Sequence, residues 1–224
     1  MLGAVMLATN VHAAPLRCPS ISGGNPALAA LDAEARLAFI RARLRHDAHR
    51  ARQWSLGFGT SYSIIAAGSL AYGTAVRDPG TKADAYTGGA GALVGLGLLV
   101  VSPLTVVRDH DMLEAHVAAA GPEIDRCRLL AIAETMLVRD AKNEAWGRGW
   151  FTHTGNALLG VATLLVLGLG FHHWSSGTIN AASSIAIGEL MIDLQPHGLV
   201  RDLRAYRRGD LRSPRRRRHL PARR

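Results

Sequence analysis

Two carboxylates lie near the end of a long apolar segment, where ionisable side chains are rare. Residues 149–188 contain no Asp, Glu, Lys or Arg, and Glu189 and Asp193 follow directly, one helical turn apart. Placing such a side chain in the middle of a bilayer costs roughly 2.5–3.5 kcal/mol, so intramembrane acids usually have a partner or water. We expect the same apolar segment to supply the hydrogen-bonding partners of Glu189 and Asp193.

At about 1.5 Å per helical residue, this segment is roughly twice as long as the ~30 Å hydrocarbon core of a bilayer. It must therefore fold back, and the sequence HHWSSG at residues 172–177 is the natural turn. In the resulting antiparallel pair, His153 lies at the depth of Asp193 and Asn156 at the depth of Glu189. His153 and Asn156 are three residues apart and share one face of their helix. Glu189 and Asp193 are four residues apart and share one face of theirs. The sequence predicts an intramembrane polar cluster of these four residues.

Two roles fit this cluster. A His–carboxylate pair in apolar surroundings can relay protons or bind a cation, as in a small transport component. Alternatively, the four groups hold the two helices in register through hydrogen bonds that contribute about 0.6 kcal/mol each on average. Asp193 also lies close to Pro196, where a headgroup region would hydrate it. We favour the second, structural role.

Motifs of enzymatic chemistry are not found in the sequence. There is no nucleophile motif, no phosphate-binding loop and no HExxH, and the two cysteines lack the spacing of zinc ligands. The sequence therefore predicts a protein without catalytic residues, metal or cofactor.

The composition is typical of helices packed in lipid. Hydrophobic residues make up 48% of the 224 residues and charged residues only 19%, and there are 24 glycines. Four segments with few or no charges are long enough to span a bilayer, and they are residues 54–76, 85–107, 149–171 and 178–195. An amphipathic pattern precedes each pair of segments. The predicted fold class is an all-α integral membrane protein with four transmembrane helices as two tandem helical hairpins, each preceded by an amphipathic head helix.

Six regions follow from these segments. They are a signal peptide (1–13), a first head (14–53), a first transmembrane hairpin (54–107), a second head (108–148), a second transmembrane hairpin (149–196), and a short helix with a disordered Arg-rich tail (197–224).

The two halves of the chain align as copies of one unit. The offset is 93 residues, reduced to 92 around the first apolar segment of each half. Matched positions include Leu44 and Leu137, Asp47 and Asp140, Trp54 and Trp146, and Gly95 and Gly188. Each half leaves its second apolar segment through Pro-xxx-Val-Arg-Asp, at residues 103–109 and 196–202. We interpret this pattern as an internal duplication.

The duplication carries two consequences. Because each unit has two spans, the copies run parallel, and both termini and the middle segment lie on one face of the membrane. In the first unit, Leu96 and Val100 stand where the second has Glu189 and Asp193. The fold of the unit therefore does not need the acids.

The net charge of +9 is concentrated at the end of the chain. Residues 207–224 contain nine arginines and one aspartate, so the rest of the chain has a net charge of only +1. Such a tail predicts contact with the lipid bilayer, and nucleic acid is not an expected partner because it would require a cytoplasmic tail. A homo-oligomer is expected for the transport role, since four spans are few for a carrier.

Two patterns disagree about the face that carries the heads. Residues 1–13 are a short apolar run ending in small residues, typical of a signal peptide, which places the heads on the periplasmic face of a bacterial-type inner membrane. Of the 26 Lys and Arg, only Arg77 and Lys82 lie in the two turns, and the positive-inside rule then places the heads in the cytoplasm. We take the periplasmic face as our expectation.

The two cysteines depend on this choice. Cys18 and Cys127 lie in the segments that precede the spans of different units. In an oxidising compartment they can form a disulfide that joins the two heads, whereas in the cytoplasm they would stay reduced.

Overall fold

The computed structural model describes residues 15–20, 26–101, 103–120 and 125–212. The described part of the chain is all-helical, with 84% of its residues in helices and none in strands. The helices are α1 (Pro26–Ala29), α2 (Ala33–Ala75), α3 (Pro79–Val101), α4 (Thr105–Ala119), α5 (Arg126–Gly147), α6 (Trp150–Leu165), α7 (Trp174–Asp193) and α8 (Leu199–Arg207). The predicted signal peptide and most of the predicted Arg-rich tail lie outside the described residues.

Helix α2 joins the first predicted head to the first predicted span without a break. It has 43 residues, and Asp32 caps its start by accepting a hydrogen bond from the Ala35 amide at 3.0 Å. Its first half buries one apolar stripe, whereas its second half is apolar around most of its surface. Because no proline interrupts residues 33–75, the helix continues until the residues before Pro79.

A compact group of helices forms one end of the molecule, which we call the head. It consists of α1, residues 33–53 of α2, α4, α5 and α8, with the segment at residues 15–20 packed against them. Its core is closed around the two predicted amphipathic stripes, and it includes Leu37, Ile40, Leu44, Leu130, Ala133, Leu137, Leu113 and Leu203. The two predicted heads therefore form a single folded unit with a shared core.

The remaining helices pack as two antiparallel pairs at the other end. A Cβ added at Gly73 of α2 would lie 3.1 Å from Tyr86 of α3, and one added at Gly95 of α3 would lie 2.8 Å from Tyr62 of α2. Residues late in α2 therefore contact residues early in α3, and residues early in α2 contact residues late in α3, so the two helices are antiparallel. Helices α6 and α7 are related in the same way. Glycines let these helices approach closely, as is common in membrane helix pairs.

Both turns between paired helices are shorter than the sequence indicates. Helix α3 begins at Pro79, and proline suits the first helical position because an N–H there would have no partner within the helix. Asp78 caps the helix by accepting a hydrogen bond from the Thr81 amide at 2.8 Å. In the second pair, α6 ends in a π-helical turn (Val166–Gly170), and His172 has a φ of 57°. Helix α7 then starts at Trp174, about one turn earlier than predicted.

Two helical stretches are long and apolar enough to cross a membrane. They are Pro79–Ala119 and Arg126–Gly170, whose most apolar 18-residue windows have mean hydropathies of 2.2 and 1.4. Only 18% and 17% of these windows are buried inside the molecule. The other two predicted spans, within α2 and α7, do not reach this hydropathy. Serine, threonine and glycine are frequent in both, and α7 also contains Asn180, Glu189 and Asp193.

Candidate functional site

The predicted polar cluster lies between α6 and α7. Asn156 donates a hydrogen bond from Nδ2 to Oε1 of Glu189 at 2.8 Å and a second to the Ile185 carbonyl at 3.0 Å. Nδ1 of His153 lies 2.6 Å from Oε2 of Glu189. Asp193 is exposed, and its side chain makes no hydrogen bond or ion pair with another described residue. The structure thus brings three of the four predicted residues together.

The structure has one of the two predicted depth relations and lacks the other. Asn156 lies against Glu189, as the sequence predicts. His153, predicted at the depth of Asp193, also lies against Glu189, one helical turn before Asp193 in α7. His153 and Asn156 are three residues apart on one face of α6, so a single carboxylate contacts both of them.

The contacts of Glu189 connect two helices and nothing else in the described chain. Both of its side-chain partners lie on α6, and Asn156 also binds the backbone of α7. The side chains of His153 and Glu189 are 40% and 36% exposed at the outer surface of the pair. This arrangement suits a hydrogen-bonded clamp between helices, the role that we favoured from the sequence.

We expect Glu189→Leu to leave membrane insertion intact and to weaken the α6–α7 pair. The substitution removes two hydrogen bonds, at about 0.6 kcal/mol each, for a loss of roughly 1 kcal/mol. Thermal unfolding of the purified protein in detergent measures it. Asp193→Leu is the matched control, because that acid has no partner in the described chain. A Glu189→Leu protein as stable as the Asp193→Leu protein would contradict the clamp.

The two cysteines form a disulfide inside the head. Cys18 and Cys127 are bonded, with their Cα atoms 5.3 Å apart and 109 residues apart in sequence. Cys18 is buried in the head core, and Asp125 caps α5 beside Cys127 by accepting its amide hydrogen bond at 2.9 Å. The bond therefore ties the segment at residues 15–20 to the first turn of α5.

A buried polar network that no sequence pattern predicted lies next to the disulfide. Arg36 forms an ion pair with Glu134, donates to the Cys18 carbonyl at 2.7 Å, and donates to the hydroxyl of Tyr206 at 3.1 Å. Tyr206 in turn donates to Glu134. All three side chains are less than 2% exposed. Arg36 lies four residues before Ile40 of the buried stripe, a position that could have indicated burial.

Two pairs of buried aspartates lie in the half of the head that adjoins the apolar helices. In the first, Asp140 of α5 faces Asp109 of α4. Oδ1 of Asp140 accepts a hydrogen bond from Thr105 at 2.6 Å, and Asn143 donates to the same hydroxyl at 2.8 Å. Arg139 forms an ion pair with Asp109 and donates to its Oδ2 at 2.8 Å. Asp109 therefore has a close guanidinium, that of Arg139, and Nε of Arg108 lies farther away, 3.7 Å from its Oδ1.

The electrostatics of this pair favour a bound proton. Burial raises the pKa of Asp140 to about 7, the Thr105 hydrogen bond opposes the shift, and the Asp109 charge adds to it. Oδ2 of Asp140 is buried without a hydrogen bond from any described residue, whereas Oδ1 of Asp109 lies in the ion pair with Arg139. A single proton on Asp140 would lower the cost of burying both groups.

The second pair is Asp47 of α2 and Asp202 of α8. Arg43 lies 3.6 Å from Asp202, and burial raises the pKa of both aspartates. Glu144 lies close by and accepts hydrogen bonds from the amides of Gly198 at 3.1 Å and Leu199 at 2.7 Å, which caps α8. In the alignment of the two halves, Asp47 matches Asp140 and Asp109 matches Asp202. Each pair therefore joins one position from each half.

Three hydrogen bonds between described side chains or backbone groups join the antiparallel pairs to each other. The indole of Trp54 donates to the Met191 carbonyl at 3.0 Å near the head, and the hydroxyl of Tyr62 donates to the Met191 sulfur at 3.6 Å. Ser176 donates to Asp84 near the opposite turns. The second predicted span begins only at residue 85, whereas Asp84 already lies within α3.

No family model matches the chain, and comparisons with curated proteins and with solved structures find no match. Within the described residues, no group of three or more His, Cys, Asp or Glu side chains is arranged to hold a metal ion.

Proposed function

We propose that this chain is a multi-pass, non-enzymatic membrane protein with a structural or accessory role, in which two transmembrane hairpins hold a disulfide-linked helical head at the membrane surface. The observation that carries this proposal is the contrast between the two ends of the molecule. The head encloses its apolar side chains, whereas the paired helices expose theirs. Exposed apolar surface of that extent is typical of a surface covered by lipid or by another protein.

The exposed side chains support a lipid environment along the whole length of the helices. Val100 and Val101 at the end of α3 are 71% and 73% exposed, and the large exposed residues of α6 and α7 include Leu158, Val166, Leu169, Ile179 and Leu190. From Trp150 to Gly170, α6 and its π-helical turn contain 21 residues, or about 32 Å at 1.5 Å per residue. This length fits the ~30 Å hydrocarbon core, with exposed Trp150 and Trp174 near its two boundaries.

Alkaline carbonate extraction of membranes that contain the full chain tests this placement. The chain is expected to stay with the membrane fraction, as integral proteins do. Release into the supernatant would contradict the proposal, and the exposed helices would then be a surface for another protein.

We further propose that the head lies in an oxidising compartment, on the periplasmic face of a bacterial-type inner membrane. The disulfide supports this side, because such bonds persist where thiols are not kept reduced. We expect intact cells to contain the oxidised protein, which shifts on a gel only after reduction and takes up thiol reagent only after reduction. The Cys18→Ser and Cys127→Ser proteins serve as controls for the shift.

Two results would contradict a periplasmic head. Thiols that react only after cell lysis and without a reductant, or a carboxy-terminal reporter active only in the cytoplasm, would place the head inside. The uneven distribution of arginine and lysine would then have been the better guide.

A proton- or cation-coupled transport component is the second candidate, and the His153–Glu189 contact is the observation in its favour. This function predicts an ion flux in liposomes that Glu189→Gln abolishes and that Asp193→Asn changes less, since Asp193 has no partner. An absent flux, or one unchanged by Glu189→Gln, would exclude it and leave the clamp.

A further inference from the structure

A shallow groove lies at the corner where α3 ends and α4 enters the head. It has a volume of about 610 Å³, and apolar side chains of Leu104, Val107, Met112 and Ala115 line much of it. Arg108 and Asp111 supply its charged groups. Under the placement proposed above, on which this inference rests, the corner lies at the depth of the lipid headgroups.

The two charged groups of the groove are not equivalent. Asp111 is paired with Arg52, whose Nη2 lies 2.6 Å from its Oδ1. Arg108 is 65% exposed and donates no hydrogen bond within the described chain, although its Nε lies 3.7 Å from the buried Asp109. The groove therefore presents one guanidinium that is free to bind an anion.

The corresponding position of the second half repeats this geometry. Arg201 follows α7 as Arg108 follows α3, within the matching sequences PHGLVRD and PLTVVRD. Its side chain is 75% exposed, and its Nε lies 3.9 Å from Oδ1 of the buried Asp202. In both halves a buried aspartate lies within 4 Å of the Nε of the preceding arginine, and the arginine side chain is exposed where an apolar helix meets the head.

We propose that Arg108 and Arg201 each bind the phosphate of an anionic phospholipid in the leaflet next to the head, and that the lipid at Arg108 lays part of an acyl chain in the groove. A guanidinium suits this role because its planar set of donors binds phosphate oxygens in pairs. The apolar groove beside Arg108 supplies a surface for the hydrocarbon, and its exposed cation complements the negative headgroup.

Lipid retention by the full-length protein tests the proposal. The wild-type chain and its variants are reconstituted in vesicles with equal amounts of phosphatidylglycerol and phosphatidylcholine, extracted in mild detergent, and analysed for the lipids that stay bound. Arg108→Gln and Arg201→Gln are each expected to lower the phosphatidylglycerol preference about fivefold, as for one basic group at a membrane surface. Arg108→Lys keeps the charge and should lose less.

Arg45→Gln is the matched control, because Arg45 is 64% exposed but lies against Glu114 in the head, farther from the boundary. A Met112→Ser variant tests the groove and should lower total lipid retention without reversing the headgroup preference. Equal preference in the Arg108→Gln, Arg201→Gln and Arg45→Gln proteins would overturn the phosphate sites. Retention by Met112→Ser equal to that of the wild type would overturn the acyl-chain assignment.

Two further outcomes separate this inference from the proposal beneath it. If carbonate extraction leaves the chain in the membrane while the arginine variants keep their phosphatidylglycerol, only the lipid sites are wrong. If carbonate releases the wild-type chain, both proposals fall. Displacement of the bound lipid by an equal concentration of inorganic phosphate would show sites for a free anion and overturn the assignment to phospholipid.

Discussion

Glu134→Gln is expected to destabilise the head by about 3–5 kcal/mol. The change removes the counter-charge of Arg36, which is fully buried and has no other acid against it in the described chain. Breaking a buried ion pair by neutralising one partner leaves the other charge uncompensated, and this costs several kcal/mol. Unfolding of the purified protein in detergent, followed by far-UV circular dichroism with the disulfide intact, measures the loss.

A surface pair supplies the control for this prediction. Arg41 and Glu114 also form an ion pair, at 2.6 Å, but both side chains are 30% exposed. Glu114→Gln should therefore cost less than about 1 kcal/mol. A double Arg36→Leu, Glu134→Leu protein, which buries no unpaired charge, should recover part of the loss. Equal effects of Glu134→Gln and Glu114→Gln would show that the buried network does not act as an ion pair.

Asp140→Asn is expected to stabilise the head at pH 8 and to reduce the pH dependence of its unfolding free energy. The pKa of Asp140 is raised by burial to about 7 in the folded protein, against about 3.9 in an unfolded chain. The folded state therefore binds this proton more tightly. Its contribution to stability is complete below about pH 4, falls as the pH rises through 7, and is then lost.

The size of the effect follows from the shift. Three pKa units at about 1.4 kcal/mol each correspond to up to about 4 kcal/mol between pH 4 and pH 8. The amide of the variant carries no charge, can keep the Thr105 hydrogen bond, and can donate to Asp109. Unfolding free energies at pH 5 and pH 8 should therefore differ less in Asp140→Asn than in the wild type. Some slope remains, because burial raises the pKa of Asp47 and Asp202 in the same direction.

Asp111→Asn tests whether the effect belongs to the buried pair. A hydrogen bond from Arg52 lowers the pKa of Asp111, and this side chain is largely exposed. Its neutralisation should leave the slope near neutral pH unchanged. If Asp140→Asn retains the full wild-type slope, Asp140 does not hold a proton near pH 7.

The elements of this fold were predictable where local pattern decides them. Apolar residues at helical spacing in α2 and α5 predicted the buried stripes, and the charge-free segments predicted the apolar helices that pack in pairs. The convergence of His153, Asn156 and Glu189 followed from the need to fold a long apolar segment back on itself. In each case the determining information lies within some forty residues of the chain.

The remaining features depend on contacts between distant segments. His153 contacts Glu189 and not Asp193, and a choice between two acids one helical turn apart cannot be made from hydropathy alone. Arg36 finds Glu134 and Tyr206 only after three helices and the segment at residues 15–20 have assembled. The two buried aspartate pairs likewise require both halves of the chain, because each pair joins one residue of the first half to one of the second. The alignment of the halves matches Asp47 with Asp140 and Asp109 with Asp202, but it does not show which of them come into contact.

The uninterrupted α2 has a mechanical consequence. Its 43 residues form a rod about 65 Å long, of which one end is part of the head core and the other packs against α3. No loop lies between these ends to absorb a rotation, so a force that tilts the head also tilts the apolar end of the rod. Arg36 anchors the head end of this rod through Glu134 and Tyr206, and it donates to the carbonyl of the disulfide-bonded Cys18. A force applied to the head is therefore transmitted through α2 to its apolar end.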